Sequence, residues 1–187
     1  MIASAAEPGA GGTARLRGTG HDPKKSVARA ATRAIAALVK AGVPHEVVKF
    51  DHDPRATAFG AEAIDALTKE GAIAPGQVYK TLVISVPKGF AVAILPASAR
   101  LSLKGAAALG VAKADMANAA DAERATGYVV GAVSPFGQRR PLPTVVDSEA
   151  LAWERVYCSA GRRGWDVGVS PRDLIRLTGA VTADIRA

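Results

Sequence analysis

The sequence predicts an α+β fold: a mixed, partly barrel-like β-sheet of about seven strands surrounded by helices. Three observations carry this expectation. Five segments space their apolar residues as a helix does, and about seven short runs are β-branched and alternating. The two kinds come in mixed order rather than strict βαβ alternation, with no internal repeat. The chain has 187 residues, 49% of them hydrophobic, which suits one domain with a real core.

Residues 1–24 are rich in Gly, Ala, Thr and Arg without a sustained period, and read as a flexible basic tail. Residues 25–187 read as the folded body. Ser26 is placed to cap a helix carrying Val27, Ala30, Ala31, Ala34, Ile35 and Leu38, which Gly42 closes. A short strand follows over 45–50. Asp51-His52-Asp53-Pro54 is a turn, and Thr57 opens a helix holding Phe59, Ala63, Ile64 and Leu67. Residues 78–86 and 90–95, separated by Pro87-Lys88-Gly89, give the strongest hairpin signal in the chain. Ser102 caps a short helix that stops at Gly110. Asn118 caps another, with Asp121 at its third position and Gly127 after its end. Residues 128–133, 144–147, 155–159 and 165–169 read as strands. Ser170-Pro171 starts the last helix, which Gly179 ends.

The net charge of +7 is unevenly placed. Residues 1–40 hold seven Lys/Arg against Glu7 and Asp22, and the remainder carries only a slight excess. A basic tail suits nucleic acid or simple solubility. Within the body the cationic signal lies in Arg139-Arg140 and Arg162-Arg163. One cysteine, Cys158, excludes a disulfide framework within one chain and points to a reducing cytoplasm. No run of 18 apolar residues exists, so no membrane partner is expected, and the N-terminus lacks the compact apolar run of a signal peptide.

Several chemistries are excluded by their missing motifs. There is no P-loop, no dinucleotide fingerprint after a strand and no nucleophile elbow. His21, His45 and His52 are not at zinc-ligand spacing, and no metal or cofactor is expected. Side chains bonding the local backbone account for Asp51-His52-Asp53, with an acid–base cluster as the sharper alternative. Cys158, in a strand with no histidine nearby in sequence, reads as a small buried apolar group.

Lys80 stands out. It falls in the same strand row as Val78, Leu82, Ile84 and Val86, where an ammonium is costly without a partner. Either it lies at the strand's mouth and reaches water, or it serves a function. Glycine-rich junctions at Gly127–Gly137 and Gly161–Gly164 allow tight turns, and also allow a ligand to approach the backbone closely.

Six blocks then occur in order: Gln77-Val78-Tyr79-Lys80-Thr81-Leu82, Leu101-Ser102-Leu103-Lys104, Thr126-Gly127-Tyr128-Val129-Val130-Gly131, Ser134-Pro135-Phe136-Gly137-Gln138, Leu142-Pro143-Thr144 and Ser159-Ala160-Gly161-Arg162-Arg163-Gly164. Together they resemble the YbaK family, the Cys-tRNA(Pro) deacylases related to the editing domain of bacterial prolyl-tRNA synthetase. The resemblance covers roughly residues 32–185. It implies a cytoplasmic hydrolase that clears cysteine misloaded on tRNA(Pro), with aminoacyl-tRNA and prolyl-tRNA synthetase as partners. It implies that Lys80 positions the substrate and that the substrate's own thiol attacks the ester, leaving as a cyclic thiolactone. It places Gly131 beside Lys80 as the second catalytic position, where backbone meets the aminoacyl group. It assigns Phe50, Phe59, Thr81, Ser159 and Asp166 to the substrate pocket. Arg139, Arg140, Arg162 and Arg163 are candidates for tRNA phosphate contacts, or else plain solvated charges. Phe50 stands where the family usually has Tyr, and Ala132 replaces the second glycine of a common Gly-Gly pair. Another small amino acid such as alanine is therefore an alternative substrate, and a non-catalytic tRNA- or synthetase-binding module is the rival reading.

Overall fold

A computed structural model describes residues 32–187. The predicted tail and the cap at Ser26 lie outside the described residues. The first helix, α1 (Arg33–Lys40), is capped by Thr32, whose hydroxyl accepts from Ile35 N at 3.2 Å. It packs Ala34, Ile35 and Leu38 inward, the stripe that the helical spacing indicated.

Two sheets form the body. Strands β1 (Glu46–Lys49), β6 (Val156–Arg162) and β7 (Trp165–Val169) make an antiparallel sheet in the order β1-β7-β6. Strands β2 (Tyr79–Val86), β3 (Gly89–Pro96), β4 (Asp115–Met116), β5 (Thr144–Asp147) and β8 (Val181–Ala183) make a mixed sheet in the order β4-β2-β3-β5-β8. β2 and β3 pair antiparallel along their whole length, whereas β3/β5 and β5/β8 are parallel. A single parallel bridge, Val78 to Tyr157, joins the sheets at one edge, so the barrel stays open. The remaining α-helices are α2 (Phe59–Thr68), α3 (Ala119–Thr126) and α4 (Pro171–Thr178).

The main core lies between the sheets. Val83, Val92 and Ile94 meet Val146, Val156, Cys158 and Val167, with Leu38 of α1 and Leu174 of α4 closing the ends. Each such aliphatic side chain contributes about 1.5–3 kcal/mol by burial. The mixed sheet is covered on its other face too: Ala93, Leu95 and Val145 pack with Ile185. Burial on both faces is why 90–95 reads as an unbroken apolar run rather than an alternation. Cys158 is fully buried, and its thiol is pushed up by burial and then by Asp166, which fits the apolar reading.

Three expectations fail in detail. Residues 128–133 are not a strand. They form an irregular segment bent by left-handed Gly127 and Gly131, and its polar groups bond elsewhere: Tyr128 Oη donates to Phe136 O at 2.7 Å, and Val130 N donates to Glu123 Oε1 at 2.9 Å. Leu103–Leu109 is a 3₁₀ segment that Ser102 does not cap with its side chain, although Gly110 does end it in the left-handed conformation. Thr57 does not open α2, which starts at Phe59 without a side-chain cap. Strands β4 and β8 were not foreseen, because two or three residues are too few to show a period. The Asn118 and Ser170 caps are present, accepting from Asp121 N at 2.8 Å and Asp173 N at 3.1 Å.

The C-terminal segment is tied down by Asp147, which is fully buried. It accepts from Ile185 N at 3.1 Å and Glu149 N at 3.1 Å, and Arg186 Nε lies 3.4 Å from its carboxylate. Asp147→Ala leaves these donors without their acceptor and is expected to cost about 2 kcal/mol. A shifted urea midpoint checks this, and an unchanged midpoint would show that the C-terminal strand is held by packing alone.

Candidate active site

The start of β2, the end of β1, the first turn of α2, the 128–133 segment and the β6–β7 hairpin enclose a cleft of about 530 Å³. Phe50, Phe59, Lys80, Thr81, Gly131, Ser159 and Asp166, which lie far apart in the chain, all line it, with Arg162 and Arg163 at the hairpin. Arg139 and Arg140 do not. They are exposed, and Arg140 borders a separate hollow of about 180 Å³ beside Pro135–Leu142.

Lys80 is half-buried. Its ammonium donates to Ala97 O at 3.0 Å and to Ala99 O, carbonyls of the turn that follows β3. The tip is thus held by backbone, and the simple picture of a lysine reaching bulk water does not describe it. Burial lowers its pKa below the usual lysine range. An ammonium has three donors. Two are used, so one N–H remains for a ligand.

Asp166 faces Ser159 across the β6/β7 pair and Val48 across the β1/β7 pair. It is 6% exposed and has no ion-pair partner among the described residues. Burial pushes its pKa up to about 7. At neutral pH the carboxyl therefore exists in both forms, able to donate or to accept.

Gly131 has φ +85°. A side chain there would begin 2.8 Å from the Phe59 ring, so the missing side chain seats that ring. Arg163 covers the ring's other surroundings: its guanidinium lies 5.0 Å from the Phe59 centroid and donates to Val130 O at 2.8 Å. Phe50 is anchored where Phe50 N donates to Gly164 O at 2.8 Å.

The Asp51-His52-Asp53 turn holds more than local bonds. Asp53 does accept from Arg55 N at 2.9 Å, as turn chemistry requires. His52, however, lines the cleft and bonds Glu62 of α2, with 2.8 Å between Nδ1 and Oε2. Glu62 also accepts from Asp53 N at 2.7 Å. His52 Nε2 and Thr81 Oγ1 are buried without a partner, which marks this wall as able to take polar groups from a ligand. A histidine and a glutamate ten positions apart share no local period, so only the tertiary fold pairs them. Among the described residues no cluster of three His, Cys, Asp or Glu is placed to hold a metal.

Asp166 makes stability pH-dependent. Its folded pKa lies above the unfolded value of about 3.9, so the folded state holds the extra proton between these values. This contribution to stability falls as pH rises from about 4 to about 7 and then levels. Asp166→Asn removes that fall. Urea unfolding at pH 5 and pH 8 should show the variant gaining on wild type by up to a few kcal/mol at the higher pH. Parallel pH dependences in the two proteins would rule the buried carboxylate out as their cause.

Comparison with known proteins bears on this arrangement. A proposed Cys-tRNA(Pro)/Cys-tRNA(Cys) deacylase, EbsC of Enterococcus faecalis, is 36% identical over 115 residues, 60% of this chain and 70% of that protein. A solved structure described as a proposed trans-editing enzyme for prolyl-tRNA synthetase superposes with a TM-score of 0.71 at 26% identity, covering 86% of this chain and 97% of the other. The structure of a hypothetical protein superposes with a TM-score of 0.68 at 26% identity over 80% of this chain and 96% of the other. Residues 60–177 match the aminoacyl-tRNA editing domain family. With more than half of its length so matched, this chain belongs to that family.

Proposed function

We propose that the chain is a trans-editing deacylase that clears cysteine from tRNA(Pro). The observation that carries the reading is the meeting, in one cleft, of the Lys80 ammonium with Phe50, Phe59, Thr81, Gly131, Ser159 and Asp166. Family membership supplies the reaction class, and the name of the 36% identical relative supports cysteine as the amino acid. The name of the structural neighbour supports prolyl-tRNA synthetase as a partner.

The cleft contains no activated protein nucleophile of the usual kind. Cys158 is fully buried in the core with its thiol pushed up, so it is poorly suited to attack. A substrate that carries its own thiol needs none. The sulfur bonds to the ester carbonyl carbon, the bond to the ribose oxygen breaks, and the proton passes from sulfur to that oxygen. The cysteine leaves as a cyclic thioester. The protein's task is then to hold sulfur and carbonyl together and to stabilise charge on the carbonyl oxygen. The free N–H of Lys80 is suited to the second task. Phe50 and Phe59 give the cleft apolar walls for a small side chain.

The decisive experiment compares deacylation of Cys-tRNA(Pro), Ala-tRNA(Pro) and Ser-tRNA(Pro) by wild type and Lys80→Ala, with and without the synthetase. Wild type should clear the cysteine ester, and the variant should lose at least about a hundredfold. The serine ester, with oxygen in place of sulfur, should survive. Its clearance at the cysteine rate would sink the thiol mechanism. Preference for alanine, which has no thiol, would keep deacylation but overturn both the thiol mechanism and cysteine as the substrate. Tight tRNA binding with no turnover of any ester would favour a binding module.

A second expectation concerns Gly131→Ala. The added methyl meets Phe59, and the left-handed backbone disfavours any side chain. Activity should fall at least tenfold with a smaller effect on thermal stability. Unchanged turnover would show that the Phe59 seat does not matter to the reaction.

A further inference from the structure

Three cations at the β6–β7 hairpin have no carboxylate within ion-pair reach among the described residues: Lys49, Arg162 and Arg163. The lack of a carboxylate does not single them out, since Arg139, Arg140 and Arg172 have none among the described residues either; their arrangement does. Two of the three are organised around an indole. Trp165, on the central strand β7, pairs directly with Lys49 of β1 and with Arg162 of β6. Directly paired residues emerge on the same face of a sheet, so the three side chains form one row, its outer members about 10 Å apart at the backbone. Lys49 Nζ lies 3.9 Å from the Trp165 ring centroid, and Arg162 Cζ lies 5.2 Å from it. Trp165 is half-buried, whereas Lys49 and Arg162 are exposed.

We propose that Lys49, Trp165 and Arg162 form a contact strip for the single-stranded 3′ end of the RNA substrate, just outside the cleft. This rests on the reading that the ester in the cleft belongs to an aminoacyl-tRNA. An ester on the terminal ribose leaves the rest of the strand no course except out over the cleft's rim, and Arg162 and Arg163 are on that rim. Trp165 and Asp166 are successive in β7, so the row emerges on the opposite face of the sheet from Asp166, and the strand reaches it by passing over the hairpin end at Arg162. Cations resting on an aromatic face are already ordered, so less side-chain freedom is lost when they meet a phosphate. A cationic track interrupted by an aromatic ring is also the arrangement that holds single strands without reading their sequence: charge follows the backbone and the ring takes a base. The 51–54 turn beside Lys49 contributes Asp51 and Asp53, but Asp53 is engaged by Arg55.

The test uses the full chain with two substrates, cysteinyl-tRNA(Pro) and a cysteinyl ester of adenosine alone. Lys49→Gln and Trp165→Leu should each raise KM for the tRNA about tenfold with kcat kept, and leave the adenosine ester unaffected. Lys49→Gln should also lower the slope of log KM against log salt by about one. Equal KM values on tRNA overturn the proposal, and so does an equal loss on both substrates, which would make the row a support of the cleft. In a Trp153→Phe background, the emission of Trp165 should change on adding an oligoribonucleotide ending in CCA. An unchanged emission overturns the strip even if no ester is turned over. A wild type that cleaves neither substrate while its emission responds would instead overturn the deacylase reading and retain the strip.

Discussion

The junction at the start of β2 is the constraint on which the cleft depends. On one side β2 pairs with β3 from Tyr79/Pro96 to Val86/Gly89, and on the other Val78 bridges to Tyr157 of β6. Ala97 N donates to Val78 O at 2.8 Å, which folds the turn after β3 back over the strand. Its carbonyls thereby meet the Lys80 ammonium. The same bridge brings the second sheet, with Ser159 and Asp166, to the lysine's side of the molecule. Loss of the junction would separate the two halves of the cleft without removing any residue from it.

Among the described residues the two buried carboxyl groups, Asp147 and Asp166, are treated in opposite ways. Asp147 receives backbone donors and a guanidinium, and its role is to fasten the C-terminus. Asp166 is almost as buried and receives no such set, so burial alone governs its titration. An incompletely satisfied carboxyl, a lysine with one donor left and partnerless Nε2 and Oγ1 atoms on one cleft are unfavourable for folding. Trp153 Nε1 is likewise partnerless away from the cleft, but the gathering of these groups with a lysine and a carboxyl on one cleft is what a ligand-binding wall looks like before the ligand arrives.

Phe59 shows how the walls are kept in place. Its ring rests on the bare backbone of Gly131, lies 6.0 Å from the His52 ring and sits beneath Arg163. Arg163 in turn crosses to Val130 O. An aromatic side chain of α2, a loop glycine and a hairpin arginine are thus fixed to one another. The 128–133 segment can serve this purpose because it is not a strand: its N–H and C=O groups are free to bond Glu123 and Arg163 rather than a ladder partner.

The local signals in the chain determined its long elements. Apolar spacing at Ala34, Ile35 and Leu38 gave a helix, alternation and β-branching gave the β2–β3 hairpin, and Asn118 and Ser170 marked their helix starts, because these depend on neighbours within a few residues. Lys80 was legible as an oddity, and six ordered blocks gave the family. Tertiary structure decided the rest. Residues 128–133 have strand composition, but Gly127 and Gly131 turn them away from any partner. Asp166 is an ordinary acid in sequence and becomes a near-neutral titrating group only because the β1-β7-β6 sheet buries it. His52 finds Glu62 through the packing of α2 against the 51–54 turn, and Lys49 finds Trp165 through strand pairing with the far end of the chain. No local period reports those contacts. They are properties of register and burial, which the chain acquires only when it is folded.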